Sequence, residues 1–502
     1  MARPDIDQSF ADLPYEAMAD AALSKAQNLN VSYADFRFER LKGQLINMRD
    51  LQLEGLVTSE SLGFAVRLVK DGSWGFAASV ELSTEAAARA VEQAADVART
   101  LSSLNSEPVE LADEPIYEDS FVSSYGVDPF SVPDEEKISF LKGVNEKVLA
   151  SKKADHVDFA LSQVLENKFF ASLSGSKITQ QRVRLQGNFD AVRIDKDSGA
   201  FDTMRSNAVP VGKGWEYISS EYDFMADAEE IPSLLEEKMV SKSVDPGRYD
   251  LVIDPTNLWL TIHESIGHAT ELDRALGYEA AYAGTSFATI DNLGKLQYGS
   301  EVMHVTGDRL VENGLASVGY DDEGVAAQQW DIIKDGVLVG YQLNRQMAEK
   351  QGFGRSNGCA FADSPLHVPL QRMPNVSLQP GQKNLSLDDL IGGVDRGIYI
   401  VGDKSWSIDM QRYNFQFTGQ RFYEIRSGKI VGQLKDVAYQ ATTTDFWNSM
   451  EAVGGPSTYL LGGAFNCGKG QPGQIAPVSH GAPVALFRQI NVLNTTQEGG
   501  SS

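Results

Sequence analysis

The chain changes character near Pro246-Gly247. Before that point helical and strand-like periodicities are mixed. After it come short strands broken by glycine turns, with one distinctive helix among them. The reading is therefore α+β: an N-terminal α/β domain followed by a β-rich C-terminal domain. A length of 502 residues agrees, because one ordinary core rarely grows past roughly 250 residues. The boundary falls between 220 and 248. We place the domains at 1–235 and 236–495, and residues 496–502 read as a disordered tail.

Within the first part, 36–54 and 62–69 read as strands, and Asp71-Gly72 as a hairpin tip. Ser83 and Thr84 can cap an alanine-rich helix over about 84–103. Further helices fit 134–152 and 227–242, and strands fill 156 to about 200 with a turn at Ser174-Gly175. In the second part YDLVID (249–254) leads into a helix around 257–276, and Asp335-Gly336 and Ser427-Gly428 mark hairpins.

With 44 basic against 69 acidic side chains the net charge is −25. That surface repels phosphate backbones, so no nucleic-acid role is expected. No apolar run reaches the roughly 18 to 20 residues that span a bilayer, and the N-terminus lacks the basic start and apolar centre of a secretory signal. A cytoplasmic protein with no membrane partner is expected. Two cysteines, Cys359 and Cys467, rule out a disulfide framework.

The distinctive helix contains His263-Glu264-Ser265-Ile266-Gly267-His268. Neutral imidazoles bind zinc, and a neighbouring carboxylate can take a proton from the water that zinc acidifies. Glu264 is the candidate base. The chain has six histidines, and two of them fall in this string. Their spacing is awkward. Five residues carry a side chain about 140° round a regular helix, against about 40° for the usual four. Convergence on one ion requires a π-bulge or break between Ile266 and His268, which Gly267 would ease. Candidates for a third ligand are Glu271, Asp273, His304 and Cys467. Cys467 lies in a glycine-rich, flexible-looking segment where Lys469 would favour the thiolate. Spacing leaves Glu271 and Cys467 level.

The segment HESIGHATELDRALGYEAAYAGTSFA resembles the active-site region of the TldD/PmbA metallopeptidases, specifically the catalytic TldD-type subunit. DDEG (321–324), QRMPNVSLQPG (371–381), NFQFTG…IRSGKIVG, NCGKGQPGQ…HGAP and GFAVRLVKDGSWGFAAS are similar to other family segments, so the likeness runs over essentially the whole chain. The resemblance implies zinc (Zn2+) on His263, His268 and Cys467, with Glu264 as general base. It thereby chooses Cys467, which spacing does not. It also implies a metal-binding role for the 257–276 helix, peptides or unfolded segments as substrate, and a homodimer or a heterodimer with a PmbA-type subunit. His480 and Tyr320 are candidates to stabilise the oxyanion, and Glu271 and Asp273 to hold the imidazoles. The competing readings are a non-catalytic peptide-binding accessory subunit, a cysteine hydrolase pairing Cys467 with His480, and a zinc dipeptidyl-peptidase type with a glutamate third ligand.

Overall fold

The structure is a computed structural model describing residues 5–470 and 472–496; the expected tail from 497 onward lies outside the described residues. The protein is α+β. Its N-terminal half is built on a seven-stranded sheet of unusually long strands. Across it run Ser73–Ser79, Gln52–Lys70, Tyr33–Arg49, His156–Ser172 and Lys177–Ile194, all antiparallel. Two short strands, Glu118–Val122 and Phe201–Arg205, also pair with Lys177–Ile194. The stretch 36–54 does not run through as one strand. It turns at Asp50, whose φ is 50° and whose carboxylate accepts from the Val157 N–H at 3.0 Å. Asp71-Gly72 forms the next turn, both residues with positive φ, as two-residue hairpins require.

One face of this sheet is apolar. Its Phe36, Phe38 and Phe64 pack under helices Tyr15–Asn28 and Thr84–Ser102. Ser83 caps the second of these by accepting from Ala86 N–H. Farther along, Ile46, Phe159 and Phe189 pack under Asp134–Ala150 and Phe224–Val240. The opposite face carries Arg37, Glu39, Arg67, Glu166, Lys168 and Arg182, all buried. These meet the DDEG turn: Lys168 Nζ donates to Asp322 at 2.8 Å and Arg67 Nη1 to Glu323 at 3.0 Å.

The C-terminal half contains a closed ring of five strands. Arg396–Ile408 pairs with Gly247–Ile253, then Ala485–Asn494, Val437–Thr442 and Asn414–Arg426 follow, and the last pairs back with Arg396–Ile408. Leu251, Ile253, Ile400, Phe415, Phe417 and Phe487 lie in one buried core with the helix that leaves this ring. That helix begins at Pro255, directly after Gly247–Ile253. Asp254 caps it by accepting from Thr256 N–H, and proline sits where no N–H is needed. Asn257 ties the helix to the barrel, its Nδ2 donating to Gly402 O and Thr418 O at 2.9 Å each. No described helix is long and apolar enough to cross a membrane.

Candidate metal centre

The helix over Pro255–Ile262 does not continue regularly. It widens into a π-turn across His263–Gly267, where His268 N–H donates to His263 O, and tightens over His268–Thr270. The chain leaves helical conformation at Glu271, with ψ 116°, before a short helix at Leu272–Ala275. The helix expected around 257–276 thus carries a π-turn, as the histidine spacing requires, and breaks at Glu271. Side chains accommodate the distorted turn. Gln342 Nε2 donates to Gly267 O at 2.5 Å, Thr270 Oγ1 to Ile266 O at 2.8 Å, and Trp447 Nε1 to Ser265 Oγ at 2.9 Å. Gly267 itself is ordinary helical backbone, with φ −52°. Its lack of a side chain serves packing instead: a Cβ there would sit 2.4 Å from Met373 Sδ.

Cys467 comes from the strand Leu460–Lys469, which pairs with Gln474–Ala482 and bulges between Ala464 and Cys467. The segment expected to be a flexible loop is therefore strand. Its glycines serve close packing, since a Cβ on Gly462 would meet Trp259 at 2.9 Å and one on Gly463 would meet Val478 O at 2.3 Å. Arg372 holds the hairpin from behind, donating to Gln474 O at 3.1 Å and to Cys467 O.

The ligand atoms of His263, His268 and Cys467 lie within 4.8 Å of one another, all three residues buried. Cys467 Sγ stands 3.6 Å from His268 Nε2. A tetrahedral zinc with Zn–S about 2.3 Å and Zn–N about 2.0–2.1 Å sets its sulfur and nitrogen donors about 3.6 Å apart, so the residues fit that ion. Each imidazole is oriented through its other nitrogen. His268 Nδ1 lies 2.9 Å from Glu271 Oε2, and the carboxylate can only accept. His480 Nδ1 lies 2.8 Å from Val376 O, which also only accepts, so His480 Nε2 is left to accept from His263 Nδ1 at 2.7 Å. Both relays leave Nε2 of His263 and His268 with free lone pairs, the form a metal needs.

Burial pushes the His263 imidazole below its ordinary pKa, favouring the neutral form. Burial alone would raise the Cys467 thiol, but His268 and Arg372 outweigh it and hold the thiol below its usual value. Lys469, expected to favour the thiolate, is itself paired with carboxylates. Its ammonium lies between Glu271, Asp273 and Glu279 at 3.2, 2.9 and 3.3 Å. It thus binds the cysteine strand to the carboxylate behind His268. Burial opposes ionisation of Glu264, yet His263, His268 and Arg412 hold its carboxyl below the usual range. Arg412 donates directly to Glu264 Oε2.

Of the other candidates, Glu271 and Asp273 stand behind the donors rather than among them. His304 is partly exposed beside Asp335, and the Tyr320 hydroxyl donates to Asp119 at 2.7 Å. His480 has both nitrogens engaged, which leaves none to activate Cys467. Sequence reasoning missed Arg412, Arg372, Gln342 and Met373 as parts of the site. Only the likeness at 371–381 pointed near any of them.

Comparison with known proteins points to one class, the metallopeptidases. Residues 246–494 match the model described as PmbA/TldA metallopeptidase C-terminal domain, and residues 34–98 match PmbA/TldA metallopeptidase domain 1. The chain belongs to the TldD/PmbA family. A relative named Metalloprotease, from Methanothermobacter thermautotrophicus, is 29% identical over 93% of this chain and 96% of its own length. Another, from Saccharolobus solfataricus and named Zinc metalloprotease TldD homolog, is 22% identical over 94% and 98%. The solved structure of TldE from Thermococcus kodakarensis shares the fold, with TM-score 0.71 at 16% identity over 95% of this chain and 99% of that one.

Proposed function

We propose that the protein is a zinc-dependent peptidase acting on peptides or unfolded protein segments, with His263, His268 and Cys467 as ligands and Glu264 as general base. The observation that carries this reading is the meeting of three neutral or anionic donors, from residues far apart in sequence, beside an ionised carboxylate. When bound, zinc supplies Lewis-acid polarisation of the scissile carbonyl and acidifies water. Glu264 takes the proton of the attacking water and passes it to the leaving amine. Arg412 keeps that carboxylate ionised and aimed. His480 and Glu271 hold the two imidazoles in the tautomer that binds metal. Among the described residues Leu460–Lys469 has a strand on one side only. An extended peptide adding to its other edge would pass beside Cys467 and be recognised through its backbone. A second copy, or a PmbA-type subunit, would enclose the site.

An accessory, non-catalytic role would leave the two histidine relays and the ionised Glu264 without purpose. Glu264→Gln decides between the readings. The variant is expected to keep one zinc per chain and to lose at least about a hundredfold in peptide hydrolysis. Undiminished hydrolysis would remove Glu264 as the base, and absence of zinc from the wild-type protein would remove the metal.

A further inference from the structure

Away from the metal centre, a cavity of about 350 Å3 opens where the strand Lys177–Ile194 meets the loop 309–318. Arg182, Arg184 and Arg309 all line it. Arg182 Nε and Arg184 Nη1 share one carboxylate, donating to Glu166 at 2.9 and 3.1 Å. Arg309 has no such partner. It is 3% exposed, its Nε is buried without an acceptor, and among the described residues its guanidinium makes no ion pair. Arg184 Nε is orphaned in the same way.

The acids around it are committed elsewhere. Asp321 accepts from the backbone N–H groups of Glu323, Val325 and Ala360. Asp322 accepts from Lys168 and Ala362, and Glu39 lies near Lys168 and Arg37 at 3.6 and 3.3 Å. Glu312, on the cavity wall, is exposed. Asp321 and Asp322 act on Arg309 only from a distance, and burying a guanidinium with no hydrogen-bonded counter-charge is strongly unfavourable. Arg182 is fully engaged with Glu166 and the Leu315 and Ser317 carbonyls, so the Arg309 fork, with Arg184 beside it, is what can match the oxygens of a carboxylate or phosphate.

We propose that this cavity binds an oxyanion, the carboxylate or phosphate group of a small ligand, with Arg309 as the principal donor. Its wall reaches the strand that carries His480: Leu315 N–H donates to Ser479 Oγ at 3.0 Å, and Asn375 Oδ1 accepts from both Ala316 and Ser479 N–H.

The test is calorimetric titration of the metal-loaded protein at constant ionic strength with inorganic phosphate, N-acetylglycine and N-acetylglycinamide. Saturable binding of phosphate alone assigns a phosphate ligand, and binding of N-acetylglycine but not its amide assigns a carboxylate. In either case Arg309→Met should weaken binding about tenfold or more, and Arg309→Lys by less. Arg309→Met should also raise the melting temperature in anion-free buffer. Should that variant not fold, Arg184→Met is expected to weaken the same anion. Binding should persist in Cys467→Ala, which separates this site from the metal centre. No binding of either anion beyond chloride, or unchanged affinity in Arg309→Met, overturns the proposal.

Discussion

At His263 one proton separates an imidazole that can bind a metal from one that cannot. The Val376 carbonyl settles where that proton lies, acting through His480. His480→Ala is therefore expected to lower zinc affinity roughly 10–100-fold, read by competition with a chromogenic chelator, while the fold persists. Unchanged affinity would mean that the relay does not orient the ligand. His263, Glu264 and His268 are legible in the sequence because one short string holds them. The partner His480 is 217 residues from His263, and Arg412 is 148 from Glu264. No spacing rule links such pairs, so only folding brings them together. Spacing leaves Cys467 level with Glu271 and only the likeness chooses it, since its strand gives no local metal signature.

At the scale of the element, the five-residue histidine spacing announces a distorted helix, and the π-turn over His263–Gly267 supplies it. What the spacing does not convey is why residue 267 is glycine. The backbone there is helical, and the constraint is Met373 Sδ, 2.4 Å from a would-be Cβ. Gly267→Ala should destabilise the protein by about 1–3 kcal/mol through overpacking and loosen the metal with it. Met373→Ala added to it should restore part of both, as denaturant melts and metal retention would reveal. Equal stability of Gly267→Ala and wild type would contradict this packing. The Leu460–Lys469 strand was misjudged for a related reason. Its glycines look like loop in sequence, whereas Gly462 and Gly463 let Trp259 and Val478 approach.

Across the whole molecule, the two halves meet through charge. The residues FRFERLKGQL read as strand, and within it Arg37, Glu39 and Arg40 are buried. Arg37 and Glu39 face each other at 3.3 Å, but Lys168 beside Glu39, Asp7 beside Arg40 and the Ser364 and His367 carbonyls on Arg37 come from distant parts of the chain, invisible to local patterning. Glu39 is the weak point, since neither of its oxygens has a hydrogen-bond partner. Burial pushes its carboxyl from 4.5 up to about 7. The folded state then retains a proton that the unfolded chain has released, so this group's contribution to stability falls as pH rises from about 4.5 to about 7. Glu39→Gln should match wild type near pH 4.5 and exceed it by on the order of 1–3 kcal/mol at pH 8. Denaturant titrations at the two pH values measure the difference, and a variant less stable than wild type at pH 8 would show that Glu39 is needed as an anion.

Whether His263, His268 and Cys467 share one ion is read most directly by X-ray absorption at the zinc edge of the purified protein. The expected first shell has two nitrogen scatterers at about 2.0–2.1 Å and one sulfur at about 2.3 Å, with the sulfur lost in Cys467→Ala. A shell of nitrogen and oxygen alone in the wild-type protein would contradict it.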